Sequence, residues 1–168
     1  SLSAAISLRA SDELTIELSG AYNHSRVDHL AEELEPTFSK TSGLILNQPF
    51  NARMSRIPNV AKFTSRTAIS YALPMGAQDF RLNAWVQYIG PSRLGIGPRL
   101  GERQGDYVDS GLAARYGDGR RGLSLTLTNP LNVRGNMFAL GTPFIPDNGG
   151  YLTPLRPRTL RLALDLSY

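Results

Sequence analysis

The chain has 168 residues, of which 41% are hydrophobic and 19% charged, with 16 glycines and 11 prolines; that Gly and Pro content argues against a helix-dominated architecture. There is no cysteine, which excludes a thiolate metal site, a Cys nucleophile and a disulfide framework. The formal charge of +4 is almost all arginine against 14 acidic residues, scattered one or two per segment without the basic block expected of a nucleic-acid binder.

No run approaches the ~18 consecutive apolar residues of a membrane-crossing helix. Barrel strands would escape that test, because their signal lies in alternation. The sequence opens at Ser1 with no Met and no charged-then-apolar leader. It is therefore read as a mature chain or a fragment, without a signal peptide.

Period two dominates the chain from its start. Residues 1–9 set Leu2, Ala4, Ile6 and Leu8 against Ser3, Ala5, Ser7 and Arg9. Residues 13–23 set Leu14, Ile16, Leu18 and Tyr22 against Thr15, Glu17, Ser19 and Asn23. Over 62–73 the apolar face is Phe63, Ile69, Tyr71 and Leu73, diluted by Ser65 and Thr67. Over 79–90 it is Phe80, Leu82, Ala84, Val86 and Tyr88. Over 107–116 it is Val108, Leu112, Ala114 and Tyr116, and over 122–128 Leu123, Leu125 and Leu127. The last strand is the clearest: Leu160, Leu162, Leu164, Leu166 and Tyr168 alternate with Thr159, Arg161, Ala163, Asp165 and Ser167. Seven strands are expected.

Their connections alternate in length. Ala10–Asp12, Pro74–Gln78 and Gly117–Arg121 are short and carry the Gly, Pro and Asp of tight turns. Segments 24–61, 91–106 and 129–158 are long. Outer-membrane barrels alternate in this way, with short periplasmic turns and long extracellular loops. The aromatics support the same reading. Tyr71, Phe80, Tyr116 and Tyr168 fall at the short-turn end, and Tyr22, Phe63 and Tyr88 at the long-loop end. Eight residues separate Phe63 from Tyr71 and Phe80 from Tyr88, roughly 26 Å at strand rise. That spacing fits an apolar band about 25 Å tall between two aromatic girdles, where amphipathic rings prefer the lipid–water boundary. A soluble β-sandwich also alternates, but its inner face has no need of aromatics at two levels.

Little points to chemistry. His24 and His29, with Asp28, Glu32 and Glu33, match no zinc spacing. Val27, Leu30 and Leu34 suggest a short amphipathic helix in a surface loop, and Gly43–Leu46 is the only apolar candidate for a further strand there. Gly95-Ile96-Gly97-Pro98-Arg99-Leu100-Gly101 lacks the Lys-Ser/Thr of a phosphate loop. No Gly-x-Ser-x-Gly elbow occurs. No catalytic residue, metal site or cofactor is assigned, and an enzyme is not expected. The polar face is the candidate functional surface. Parity places Glu17, Arg66, Arg81, Asn83, Trp85, Gln87, Asp109, Arg115, Arg161 and Asp165 toward a barrel interior. Of these, Arg66, Arg81, Trp85, Asp109, Arg115, Arg161 and Asp165 are the candidates for contact with a plug or a solute. The plain alternative is solvated or mutually paired charge, with Trp85 packed on an interior element.

The C-terminal part, about 107–168, resembles the end of TonB-dependent outer-membrane receptors. The resemblance rests on Leu123 through Asn129-Pro130-Leu131, Arg134-Gly135-Asn136, Gly141-Thr142-Pro143-Phe144, and Pro157-Arg158-Thr159-Leu160 running to a terminal Tyr168. Pro130-Leu131 departs from the family's more usual Leu-Phe-Asp-like run. The resemblance implies an all-β, antiparallel up-and-down transmembrane β-barrel segment, about seven strands of a 22-stranded barrel. Residues 1–168 would be its C-terminal portion, with the plug domain absent. It implies a bacterial outer-membrane transport receptor for a scarce solute such as a siderophore, vitamin or saccharide. The implied partners are outer-membrane lipid, the N-terminal plug of the same protein, TonB, the solute, and the outer-membrane assembly machinery, which would read Tyr168 as its signal. The alternatives are a small passive or structural barrel and a soluble binding sandwich.

Overall fold

A computed structural model describes residues 1–24, 57–95, 102–140 and 151–167. Among these there is no helix. The strands in chain order are β1 (Leu2–Arg9), β2 (Leu14–Tyr22), β3 (Phe63–Met75), β4 (Gln78–Ile89), β5 (Ser92–Arg93), β6 (Arg103–Gln104), β7 (Tyr107–Gly117), β8 (Arg121–Thr128), β9 (Asn136–Leu140), β10 (Tyr151–Pro154) and β11 (Thr159–Leu166). Seven of them form one antiparallel sheet in the order β1-β2-β3-β4-β7-β8-β11. Each strand of this sheet neighbours the one before it in the meander, which is the up-and-down arrangement read from the sequence. The sheet is not closed: β1 and β11 are both edges.

The register makes one apolar row continuous across all seven strands. Leu8 faces Ile16, Ile16 faces Ile69, and Ile69 faces Ala84. Ala84 faces Leu112, Leu112 faces Leu127, and Leu127 faces Leu160. A slip of one residue would turn each of these to the other face. The girdle aromatics also meet. Tyr22 pairs with Phe63, whose ring lies 6.3 Å from that of Tyr88, and Phe80 pairs with Tyr116. Lys62 Nζ sits 5.7 Å above the Tyr22 ring, and the Tyr116 hydroxyl donates to Gln78.

The apolar rows are uncovered. Leu160, Leu162 and Leu164 are 66–68% exposed, and Leu2, Ile6, Leu18, Val86, Leu112 and Leu125 are exposed too. Water-soluble monomers rarely show an apolar patch beyond about 300–600 Å², and this one crosses seven strands. The short connections are the tightest part of the meander. The Pro74–Gln78 turn is shorter than its sequence suggested, because β3 runs to Met75 and leaves only Gly76 and Ala77 between the strands. Pro74 is tolerated inside β3 for a local reason. The Ala72 N–H points at Glu13, beyond which β2 has no residue to pair, so the donor Pro74 lacks would face no strand.

The buried apolar side chains among the described residues gather at one end. At the long-loop end the hairpin β5–β6 and the hairpin β9–β10, neither expected from the sequence, pack into a small cluster whose buried side chains include Leu94, Tyr107, Ala139 and Leu155. Gln104 ties the hairpins together: its Oε1 accepts from Ala139 N at 2.8 Å and its Nε2 donates to Asn59 at 3.0 Å. Asn136 Nδ2 donates to the Arg103 carbonyl at 2.7 Å. Asn129, the largest fully buried side chain among the described residues, staples the base of the 129–158 connection. Its Nδ2 donates to the carbonyls of Val133 (2.9 Å) and Arg156 (2.8 Å), and its Oδ1 accepts from Val133 N at 2.9 Å.

The proposed helix around Val27–Leu34, the strand candidate Gly43–Leu46, His29 with its acidic neighbours, and most of the Gly95–Gly101 segment lie outside the described residues, as does Tyr168.

Candidate functional site

The polar face of the sheet carries all seven candidate residues, and the register sorts six of them into two groups. Across β3, β4 and β7, Arg66 faces Gln87 and Gln87 faces Asp109. One step toward the short turns, Ala68 faces Trp85 and Trp85 faces Gly111. The Arg66 guanidinium lies 4.8 Å from the Trp85 ring centroid, and its Nη1 donates to Gln87 Oε1 at 3.2 Å. A cation over an indole face is attracted by the ring quadrupole, so Arg66 and Trp85 hold one another in place. The third side of the indole is fixed by Gly111. A Cβ there would come within 2.8 Å of Trp85 Nε1, closer than side chains pack, so glycine makes room for the ring.

The second group gathers near the short turns. Arg81 faces Arg115 across β4 and β7, a like-charge pair that would repel if left alone. Asp79 and Asp165 relieve it. Arg81 Nε donates to Asp79 at 2.7 Å, while Arg115 reaches Asp79 at 3.6 Å and Asp165 at 3.5 Å. Arg115 also donates to the Asp118 carbonyl at 3.1 Å. Its guanidinium crosses Gly122, where any Cβ would meet it at 2.5 Å. Sequence reading passed over Asp79, although its spacing of two from Arg81 puts both on one face of a strand. A cleft of about 540 Å³ opens beside this group, between Asp79, Arg81, Arg115 and the turns at Gly76 and Asp118. In that turn the N–H groups of Arg120 and Arg121 donate to the Asp118 carboxylate and hold its pKa below the ordinary value.

Arg161 stands apart from both groups, facing Thr126, with no ion partner among the described residues. Among those residues no three potential metal ligands cluster. A second depression, about 420 Å³, lies over β1–β3 and is lined by Ser3, Ser19, Thr64, Arg66 and Gln87 among others. The face is therefore a mixed-charge wall with one aromatic platform. It offers hydrogen bonds and paired charge.

No family model and no curated protein matches this sequence. Among solved structures, the chain is similar to the ferric yersiniabactin uptake receptor FyuA from Yersinia pestis, with a TM-score of 0.68 and 12% sequence identity. The match covers 99% of this chain and 24% of that receptor. The sheet has the fold of part of a barrel wall. At such identity the likeness is one of fold, and the chain spans about a quarter of the receptor's length.

Proposed function

We propose that this chain is the C-terminal part of the barrel of a TonB-dependent receptor in a bacterial outer membrane, which imports a scarce solute. The observation that carries the reading is the inverted sheet: continuous apolar rows exposed outward, bounded by aromatic pairs, with polar and ionic groups on the other face. Lipid is the medium that makes such a face stable. The two free edges add to the case. An open sheet would leave backbone donors and acceptors bare in hydrocarbon, so β1 and β11 each need a further strand, which a larger barrel of the 22-stranded kind provides. The paired charges and Trp85 then face the interior, where a plug domain outside residues 1–168 and a passing solute would meet them. Arg66, Arg81, Trp85, Asp109, Arg115, Arg161 and Asp165 are the contact candidates, and Tyr168 the candidate assembly signal. The similarity to a ferric yersiniabactin uptake receptor supports this reading by fold; the solute of this protein is not inferred from it.

The test uses the full-length protein in intact cells. A cysteine at Tyr151 should react with an impermeant maleimide, and one at Gly119 should not. Purified protein should also bind the periplasmic domain of TonB. Labelling as expected without TonB binding would leave a passive barrel; labelling of Gly119 from outside would overturn the topology.

A further inference from the structure

The described parts of the 129–158 connection, residues 129–140 and 151–158, contain three arginines and no acidic residue. All three arginines, Arg134, Arg156 and Arg158, are exposed, and none has a side-chain hydrogen bond or ion pair among the described residues. The backbone nevertheless brings them together. Leu155 N donates to the Gly135 carbonyl at 2.8 Å, setting Arg134 beside Arg156. Asn129 holds the Arg156 carbonyl, and Asn132 Oδ1 accepts from Arg158 N at 3.2 Å. Three cations gathered by the backbone, with no counter-charge among the described residues, repel each other, so their placement favours an anion between them.

Their place relative to the apolar face narrows the anion. Arg158 immediately precedes β11 and stands two residues before Leu160, so it lies next to the end of the row Leu127–Leu160. Leu131, 69% exposed, belongs to the same turn. Cations bordering an apolar band match an amphiphile with an anionic head and hydrocarbon tails. We infer that Arg134, Arg156 and Arg158 form a site for the phosphate headgroup of an anionic outer-leaflet lipid, whose chains lie along Leu127, Leu160 and Leu162. This rests on the membrane-barrel reading above and adds a specific lipid contact to it.

The test takes the full-length protein in uncharged detergent and measures retention of a diphosphorylated lipid A by native mass spectrometry. The wild type should retain it and should release the same lipid once its phosphates are removed. R134Q/R156Q/R158Q should lower retention at least tenfold. These substitutions leave the backbone bonds at 156 and 158 intact, and the heat-dependent gel mobility of a folded barrel verifies folding. R9Q/R120Q/R121Q, an equal charge change at the short-turn end, should leave retention unchanged. Equal loss in both variants, or none in the first, overturns the site. Displacement of the lipid by millimolar pyrophosphate would instead mark a soluble-anion site and also overturn it. If the wild-type protein is monodisperse without detergent, the barrel reading fails. If it needs detergent and the first variant keeps the lipid, only the headgroup site fails.

Discussion

The sheet and the loop cluster are built on opposite rules. In the sheet, Leu160, Leu162 and Leu164 leave about two-thirds of their surface uncovered, while in the cluster Leu94, Tyr107, Ala139 and Leu155 are buried. The sheet is held by its ladders and leaves its apolar face uncovered, which the proposed membrane setting would cover with lipid. The cluster is held as a soluble protein is, by a few packed side chains and by amides such as Asn129 and Gln104 that satisfy buried backbone groups. On the proposed barrel reading, the difference teaches that one chain meets two solvents. Perturbing the medium should strike the sheet, and removing a single amide should strike the cluster.

The largest effect expected is a charge on the lipid face. Leu125 is the middle apolar residue of β8, and Leu125→Arg should destabilise the full-length protein refolded in lipid vesicles by about 2–4 kcal/mol. Thr126→Arg, one residue away and facing Ala113 and Arg161 on the polar side, should cost far less. Denaturant unfolding of both variants would measure the contrast, and equal costs would erase the distinction between faces.

Removing the staple should come next. Asn129→Ala deletes three hydrogen bonds at a fully buried position with φ of 47°. Each buried group left unpaired costs about 1–3 kcal/mol. Amide hydrogen exchange should therefore speed up by roughly a hundredfold or more in 129–140 and 151–158, with β1 to β4 unchanged. A matching rise in β1 to β4 would show that sheet and cluster open as one unit.

A smaller change should register at the aromatic platform. Trp85 is the only tryptophan, so its fluorescence reports this site alone. Gly111→Ala must push the indole aside, at about 1–3 kcal/mol of overpacking, and should shift the emission. Gly20→Ala, where a Cβ would meet only Thr64 O at 3.5 Å, should leave it unchanged.

The smallest effect is a pH dependence in a short turn. The Asp118 carboxyl is held below its ordinary pKa by the N–H groups of Arg120 and Arg121. A depressed folded-state pKa stabilises above the unfolded value and is lost as pH falls through the folded one. Protection of the Arg120 and Arg121 amides should therefore fade in acid and persist at neutral pH. In Asp118→Asn that acid dependence should disappear.

Much of this was legible in the sequence, for a physical reason. Each long strand has one environment on each side along its whole length, so residues such as Leu160 to Leu166 repeat every two positions and expose the pattern. The elements that escaped, β5, β6, β9 and β10, are two to five residues long, too short for a period to show. Asn129 was legible as the start of a loop, but its partner Arg156 is 27 residues away, and no local pattern announces that bond. Parity put Arg66, Trp85, Arg81 and Arg115 on one face of the sheet, and the strand register puts them on one face too. Which of them touch depends on register between strands, and that is why the Arg66–Trp85 stack and the shared Asp79 emerged only from the fold.

The central claim is that alternate residues of each strand face lipid and an aqueous interior. Spin labels placed one at a time at positions 160 to 166 of the full-length protein, refolded in bilayers, test it most directly. Accessibility to molecular oxygen, which concentrates in hydrocarbon, is compared with accessibility to a water-soluble nickel complex. The account predicts oxygen maxima at Leu160, Leu162, Leu164 and Leu166, with the nickel complex or tight packing dominating at Arg161, Ala163 and Asp165. Low oxygen accessibility at the leucines, or the two profiles rising and falling together, would contradict it.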